Sequence, residues 1–289
     1  MSTRVLVAGA GALGSMYGGF LRRAGHDVAL VGRRPHLDAI ARGGLAIEGI
    51  FGDHVATGFE LAEEPRALGG RFDLVIVAVK SYAVAAMAPV IAPLLADDGA
   101  VLSLQNGLGN LESIAESVGR ERVLGAPVLI GATIPEPGRV RVTVYAKPVK
   151  AGPAWAEGSF ASAQRVAALL DAAGVPSEAT ERLFPFLWEK MLYNAPLNAL
   201  GAILGLPYGA LAERSDSRAV MDDVIAEGFA VARAEGAELL WPTVEECRRH
   251  FYERLLPPTA GHRSSMLQDI ERGRPTEIDA LNGYIARRG

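Results

Sequence analysis

Within its first fourteen residues the chain runs from an apolar stretch, Val5–Ala8, through Gly9-Ala10-Gly11-Ala12-Leu13-Gly14 and into a helical pattern. Strand, glycine turn and helix in that order open a βαβ unit, and a βαβ unit commits the chain to a parallel sheet. Each glycine has a separate task in a dinucleotide site. Gly9 makes the tight turn, Gly11 lets the backbone approach a pyrophosphate, and Gly14 allows the helix to pack closely on the strand. The N-terminus of that helix adds unbonded N–H groups and a partial positive charge for the anion. The competing reading is a glycine turn that only joins strand to helix. Its place at the head of the chain's first βαβ unit favours the cofactor loop.

The end of the second strand chooses between dinucleotides. An NAD site usually carries Asp or Glu about 20 residues beyond the glycines, where it accepts from the ribose 2′-hydroxyl. Here the strand ends Val31-Gly32-Arg33-Arg34, with no carboxylate. A guanidinium pairs bidentately with a 2′-phosphate that a carboxylate would repel, so the expected cofactor is NADPH. The alternative is a solvated pair of loop arginines. Asp27 is acidic but sits at the wrong end of the strand.

The same alternation continues for about 180 residues. Strands are expected at Arg4–Ala8, Asp27–Val31, Leu74–Ala78, Ala100–Leu104 and Arg122–Gly125, with helices near Ala12–Ala24, Ala83–Leu95 and Asn110–Ser117. Between Ile134 and Gly158 the chain is rich in Pro and Gly, and the alternating Arg139–Tyr145 reads as an antiparallel edge addition. Phe160–Ala173 reads as one more helix. From about Ala179 the strand pattern disappears. Consecutive helices follow, broken at Gly205–Pro207, Trp241–Pro242, Pro257–Pro258 and Gly273–Pro275. A nucleotide-type α/β domain over residues 1–178 and an all-helical domain over 179–289 is the expected layout, and ligand sites favour such junctions.

Composition removes several function classes. The net charge of −4 lacks the basic field that nucleic acid or an anionic membrane surface requires. The single cysteine, Cys247, cannot bridge within the chain, no Cys/His spacing suits zinc, and no metal site is expected. A reducing, cytoplasmic setting follows from that usage. The glycine-rich N-terminus does not resemble a secretory leader, and the most apolar stretch, Met191–Leu206, is interrupted by Asn194, Pro196 and Asn198. His26, His36, His54 and His250 show no partner spacing and are expected at the surface.

Five segments in order then carry a resemblance: GAGALGS at the start, VAVKSY (Val77–Tyr82), LQNGLGN (Leu104–Asn110), WEKMLYNAPLNAL (Trp188–Leu200) and SSMLQDIERGRPTEIDALNGYI (Ser264–Ile285). Together they resemble the ketopantoate reductase (2-dehydropantoate 2-reductase) family over almost the whole chain. The resemblance implies an N-terminal α/β Rossmann-type dinucleotide-binding domain and an all-α C-terminal domain, with the site in the cleft between them. It implies NADPH-dependent reduction of 2-dehydropantoate to (R)-pantoate, a step of pantothenate biosynthesis, and it leaves room for a homodimer. By position it places Gly9, Ala10, Gly11, Ala12, Leu13, Gly14, Arg33, Lys80, Asn106, Ala132 and Glu277 at the cofactor. Lys190 matches the general acid. Asn194, Asn198, Ser265 and Glu277 match the substrate-binding side chains, with Glu277 also catalytic. Tyr208 and His262 depart from the pattern, since some members carry Asn there, and the family usually continues past Gly289 with further helix. The alternatives are reduction of another 2-oxo acid or an imine, and a non-catalytic NADP(H)-binding sensor.

The residues give reasons of their own for these assignments. Lys190, Asn194 and Asn198 stand at i, i+4 and i+8, and each step advances about 400°, so they share one narrow stripe of a helix. The surrounding segment is apolar, and a helix apolar all round is buried, so the stripe must be satisfied inside the protein or by a ligand. Pro196 adds a free carbonyl at Leu192. A lysine ammonium in such a place can polarise a ketone and protonate its oxygen, and burial would make it a better acid. The bland alternative has Lys190 snorkelling and the asparagines capping neighbouring loops. Three others stay open as well: Glu277 as a first-turn acid after Pro275, Ser265-x-x-Gln268 as a capping box, and Asn106-Gly107 as a plain turn.

Overall fold

The computed structural model describes residues 2–289. The chain divides into two units, one running to Gln105 and from Asn110 to Leu183, the other comprising Asn106–Gly109 and Phe184–Gly289.

The first unit is built on β1 (Arg4–Ala8), α1 (Ala12–Arg23), β2 (Asp27–Val31), α2 (Arg34–Gly43), β3 (Leu45–Gly49), β4 (His54–Ala56), β5 (Glu60–Ala62), β6 (Phe72–Val77), α3 (Val84–Ile91), β7 (Leu95–Ser103), α4 (Asn110–Val118), β8 (Val123–Gly125), β9 (Ile130–Glu136), β10 (Arg139–Tyr145), β11 (Val149–Pro153), α5 (Phe160–Ala172) and β12 (Ser177–Ala179). An eight-stranded sheet runs β12-β11-β8-β7-β6-β1-β2-β5. Its pairs are parallel except β11 with β8. Val5, Leu6, Val7 and Ala8 are all fully buried, so β1 is covered on both faces. A strand buried on both faces is a continuous apolar run, which is why the sequence shows VLVA with no alternation. β6 and β7 begin earlier than expected, at Phe72 and Leu95.

One expectation fails here. Arg139–Tyr145 is not an edge addition to this sheet. It lies inside a second, four-stranded sheet of order β4-β3-β10-β9, antiparallel to β9 and parallel to β3. Its partner β3 is about ninety residues distant in the chain, and local alternation cannot announce a pairing that far away.

The second unit is helical: α6 (Phe184–Leu204), α7 (Tyr208–Glu213), α8 (Ser215–Ala234), α9 (Val244–His250), α10 (Ser265–Glu271) and α11 (Asn282–Arg288). α8 and α10 pack against α6. Every residue from Leu187 to Asn198 is buried, and α6 continues through Pro196 as one helix. Burial on all sides explains why this segment has so little amphipathic pattern. Among the described residues no helix is long and apolar enough to cross a membrane.

Candidate functional site

In the first unit the glycine loop has the backbone a dinucleotide needs. Gly9 has φ +114°, and a Cβ there would lie 2.6 Å from Val79 N. A Cβ on Gly14 would lie 2.1 Å from Gly9 O, so helix and turn touch only because Gly14 has no side chain. Gly11 is the opposite case: a Cβ there would meet nothing within 4 Å, so the space above the loop is open. Ala10 N donates to Val31 O at 2.6 Å, and the first helical bond is Ser15 N to Gly11 O at 2.8 Å. The N–H groups of Ala12, Leu13 and Gly14 precede that bond, and no acidic residue stands in the first turn of α1. This donor set suits a pyrophosphate.

The other cofactor candidates of this unit are dispersed around the strand ends. Arg33 is exposed at the residue before α2, while Arg34 is engaged with Glu63 at 3.2 Å. Lys80 precedes a short 3₁₀ turn, Ser81–Ala83, just past β6. Gln105 Nε2 donates to Val77 O (2.8 Å) and Val79 O (3.1 Å), which ties the ends of β6 and β7 together. Ala132 lies on β9 opposite Val142. His36 is not a surface residue. It is buried, its Nδ1 accepts from Gly138 N (3.0 Å), and its Nε2 meets Ser15 Oγ at 2.9 Å. With Nδ1 accepting, Nε2 carries the proton and donates to Ser15, and burial lowers the pKa so that the ring is neutral. The partner atoms come from α1 and the β9–β10 turn, which spacing along α2 could not reveal.

In the second unit the expected stripe forms, and its members find one another. Lys190, Asn194, Asn198 and Glu277 are all buried. Asn106 Nδ2 donates to Glu277 Oε2 at 3.2 Å, and Asn194 Nδ2 reaches Asn106 Oδ1 at 3.5 Å. Asn106 thus bridges a residue of α6 and Glu277, so it is more than a plain turn residue. Leu108 N donates to Ala280 O at 3.2 Å and seats this loop beside Glu277. Burial pushes the Lys190 ammonium down to about 8, against the opposing pull of the Glu277 carboxylate. Among the described residues Lys190 makes no hydrogen bond or ion pair, so its N–H groups remain for a ligand. Tyr208 Oη donates to Asn198 Oδ1 at 2.7 Å, and the Tyr208 and His262 rings meet edge to face at 5.2 Å.

Two local readings are corrected. Glu277 is not in the first turn of the last helix. It precedes a 3₁₀ turn, Ile278–Ala280, and α11 starts only at Asn282, so no α-helix dipole acts on it. The capping residue of α10 is Ser264, whose Oγ accepts from Leu267 N at 3.0 Å; Ser265 is already helical and only half-buried. Gln268 Nε2 turns to Arg263 O at 3.1 Å and closes no box. Two adjacent serines offer the same cap signal, and the buried one took it. Ser264 also donates to Asn198 O at 3.3 Å, a contact the sequence did not single out.

Comparison with known proteins finds similarity over nearly the whole chain. A family model described as ketopantoate reductase PanE/ApbA matches residues 5–154, and its C-terminal counterpart matches residues 184–289. A 2-dehydropantoate 2-reductase of Aquifex aeolicus is 35% identical over 292 residues, covering 100% of this chain and 91% of that protein. The crystal structure of a PanE/ApbA family ketopantoate reductase from Ralstonia eutropha superposes with a TM-score of 0.85 at 38% identity, covering 99% of this chain and 91% of the other. A D-mandelate dehydrogenase in ternary complex with NADH and anilino(oxo)acetate superposes with a TM-score of 0.87 at 28% identity, covering 99% and 91%.

Proposed function

The chain belongs to the ketopantoate reductase family, and on that premise we propose that it reduces 2-dehydropantoate to pantoate with NADPH. The observation that carries the proposal is Lys190, a buried ammonium with no protein hydrogen bond and a carboxylate acting on it. NADPH, when bound, supplies a hydride to the ketone carbon. The loop Gly9–Gly14 would hold its pyrophosphate, and Arg33 its 2′-phosphate.

The chain's own task is the oxygen. With a pKa near 8, Lys190 is mostly protonated at neutral pH yet a far better acid than a free lysine. Its Nζ donates to the C2 oxygen, stabilises the charge that develops there, and delivers its proton to the new hydroxyl. Glu277 keeps that ammonium charged in a buried place by its negative field. Asn194 and Asn198 orient the substrate along α6, and Ser265 donates to it from the start of α10. A reducing, cytoplasmic setting is part of this reading, and the single cysteine permits it.

A second reading, another 2-oxo acid as the substrate, is favoured by the likeness to a D-mandelate dehydrogenase that binds anilino(oxo)acetate. NADPH oxidation with 2-dehydropantoate against a panel of 2-oxo acids separates the two, and no oxidation with any of them would leave a cofactor-binding sensor. The cofactor assignment has its own test. Loss of a charge-assisted contact costs about 1.5–3 kcal/mol, roughly 10- to 150-fold in affinity. Arg33→Ala is expected to weaken NADPH binding by that factor and leave NADH unchanged. Equal binding of NADH and NADPH by the unmutated protein would refute it.

A further inference from the structure

We infer that His36 is a positioning residue for the cofactor: its two ring nitrogens, bonded to Ser15 and Gly138, hold the turn that carries Arg33 so that the guanidinium can meet the 2′-phosphate of NADPH. The inference rests on the reading above that Arg33 takes that phosphate, and it adds a residue that acts only through another.

Arg33 does not hold itself in place. It is exposed, it stands at the residue before α2, and its side chain makes no capping hydrogen bond there. The chain reaches it through Gly32, where a Cβ would lie 2.8 Å from Ala10 Cβ, so the start of α2 runs close beside the glycine loop. No acidic residue stands in the first turn of α2, which keeps that end fit for an anion. What remains is to fix the turn, because a guanidinium on a loose turn loses backbone and side-chain freedom when it binds.

His36 does this from inside. Its N–H donates to Arg33 O at 3.1 Å, as does that of Leu37, so His36 closes the turn that Arg33 opens. The buried side chains of α2 are His36, Leu37 and Ile40. Packing of the two aliphatic chains is not directional, whereas hydrogen bonds set both a distance and an angle. The ring makes two of them, to Ser15 Oγ at 2.9 Å and from Gly138 N at 3.0 Å. Both anchors are themselves fixed. Ser15 N donates to Gly11 O at 2.8 Å, which ties that end to the glycine loop. A Cβ on Gly138 would lie 2.9 Å from Ala39 Cβ, so the β9–β10 turn abuts α2 directly. The ring is 7% exposed and bonded at both nitrogens, so it has no rotation left. A histidine that only completes the core would serve NADH and NADPH alike. One that positions Arg33 is felt only where there is a 2′-phosphate.

The test is calorimetric titration of the full chain with NADPH and with NADH, no oxo acid present. The unmutated protein is expected to bind NADPH about tenfold or more tightly than NADH. His36→Leu nearly keeps the volume and removes both ring bonds. It should weaken NADPH about five- to twentyfold and leave the NADH Kd within about twofold. In an Arg33→Ala background the same change should cost NADPH no more than about twofold, because the group being positioned is gone. Should His36→Leu not fold, Ser15→Ala, which removes one bond from the partner's side, decides by the same criterion. An NADPH Kd unmoved, an equal loss for NADH and NADPH, or a loss that persists in full without Arg33 would each overturn the inference and leave the Arg33 reading standing. Equal affinity of the unmutated protein for the two dinucleotides would sink both.

Discussion

At the scale of single residues, the proposed chemistry depends on how the protein sets one ammonium. Desolvation lowers the pKa of Lys190 and the Glu277 carboxylate raises it, with desolvation prevailing. Removing the ammonium removes the acid, and general acid catalysis is typically worth 10²- to 10⁴-fold. Lys190→Ala should therefore lower kcat by about that factor, while the NADPH Kd, assigned in the proposal to the glycine loop of the other unit, should stay within a few-fold. Survival of most of the turnover would make Lys190 a structural residue. The pH profile follows from the same balance. An acid must be protonated to act, so kcat/KM should fall as pH rises through about 8. Glu277→Gln removes the influence that raises the lysine's pKa, so the alkaline limb should move to lower pH. An alkaline limb at the same pH in Glu277→Gln would show that the carboxylate does not act on Lys190.

At the scale of elements, the short loop Asn106–Gly109 brings Asn106 to Glu277. Gly107 has φ +80°, and a Cβ there would lie 2.0 Å from Ala280 O, at the end of the 3₁₀ turn that Glu277 precedes. Gly205 makes a matched control: its φ is +67°, and a Cβ there would meet nothing within 4 Å. Both alanine variants carry a left-handed backbone penalty of about 1–2 kcal/mol, but only Gly107→Ala adds a collision with main chain. In urea unfolding Gly107→Ala should lose more stability than Gly205→Ala, and it should also raise KM for the oxo acid, because Asn106 is pushed from Glu277. Equal stability losses with unchanged KM would show that the loop yields without disturbing the site. α6 makes a related point. It places a lysine and two asparagines in a wholly buried segment, where each must find a partner or a ligand.

At the scale of the whole molecule, a buried cation is a stability cost, which the proposed role of Lys190 as an acid would account for. The unfolded chain holds its lysine proton up to about 10.4, whereas Lys190 in the folded protein releases it near 8. Between those values the unfolded state binds more protons, so stability rises with pH across that window, and below it the full cost applies. The lowering of the lysine's pKa corresponds to about 3 kcal/mol. Lys190→Met, measured by chemical denaturation, should therefore gain most over the unmutated protein near neutral pH, and the gain should shrink as pH approaches 10. A gain independent of pH would show that the ammonium is not strained by burial.

The sequence by itself determined whatever depends on neighbours within a few residues. The strand, glycine turn and helix of Val5–Gly14 could be read because the order strand, turn, helix is local even though Gly9 also makes room for Val79, and the stripe Lys190, Asn194 and Asn198 because helical spacing alone puts them on one side. The two-unit layout was legible for the same reason, in the change from strand runs to helices. Tertiary structure alone decided the features that join distant segments: β10 beside β3, His36 between Ser15 and Gly138, Asn106 between Asn194 and Glu277, and Tyr208 on Asn198. It also decided which of two adjacent serines caps α10, and it removed Glu277 from a helix terminus. The physical reason is common to all of these. A side-chain hydrogen bond needs its partner within about 3 Å, and a buried group takes whatever partner the packing brings there, however far away it lies in the chain.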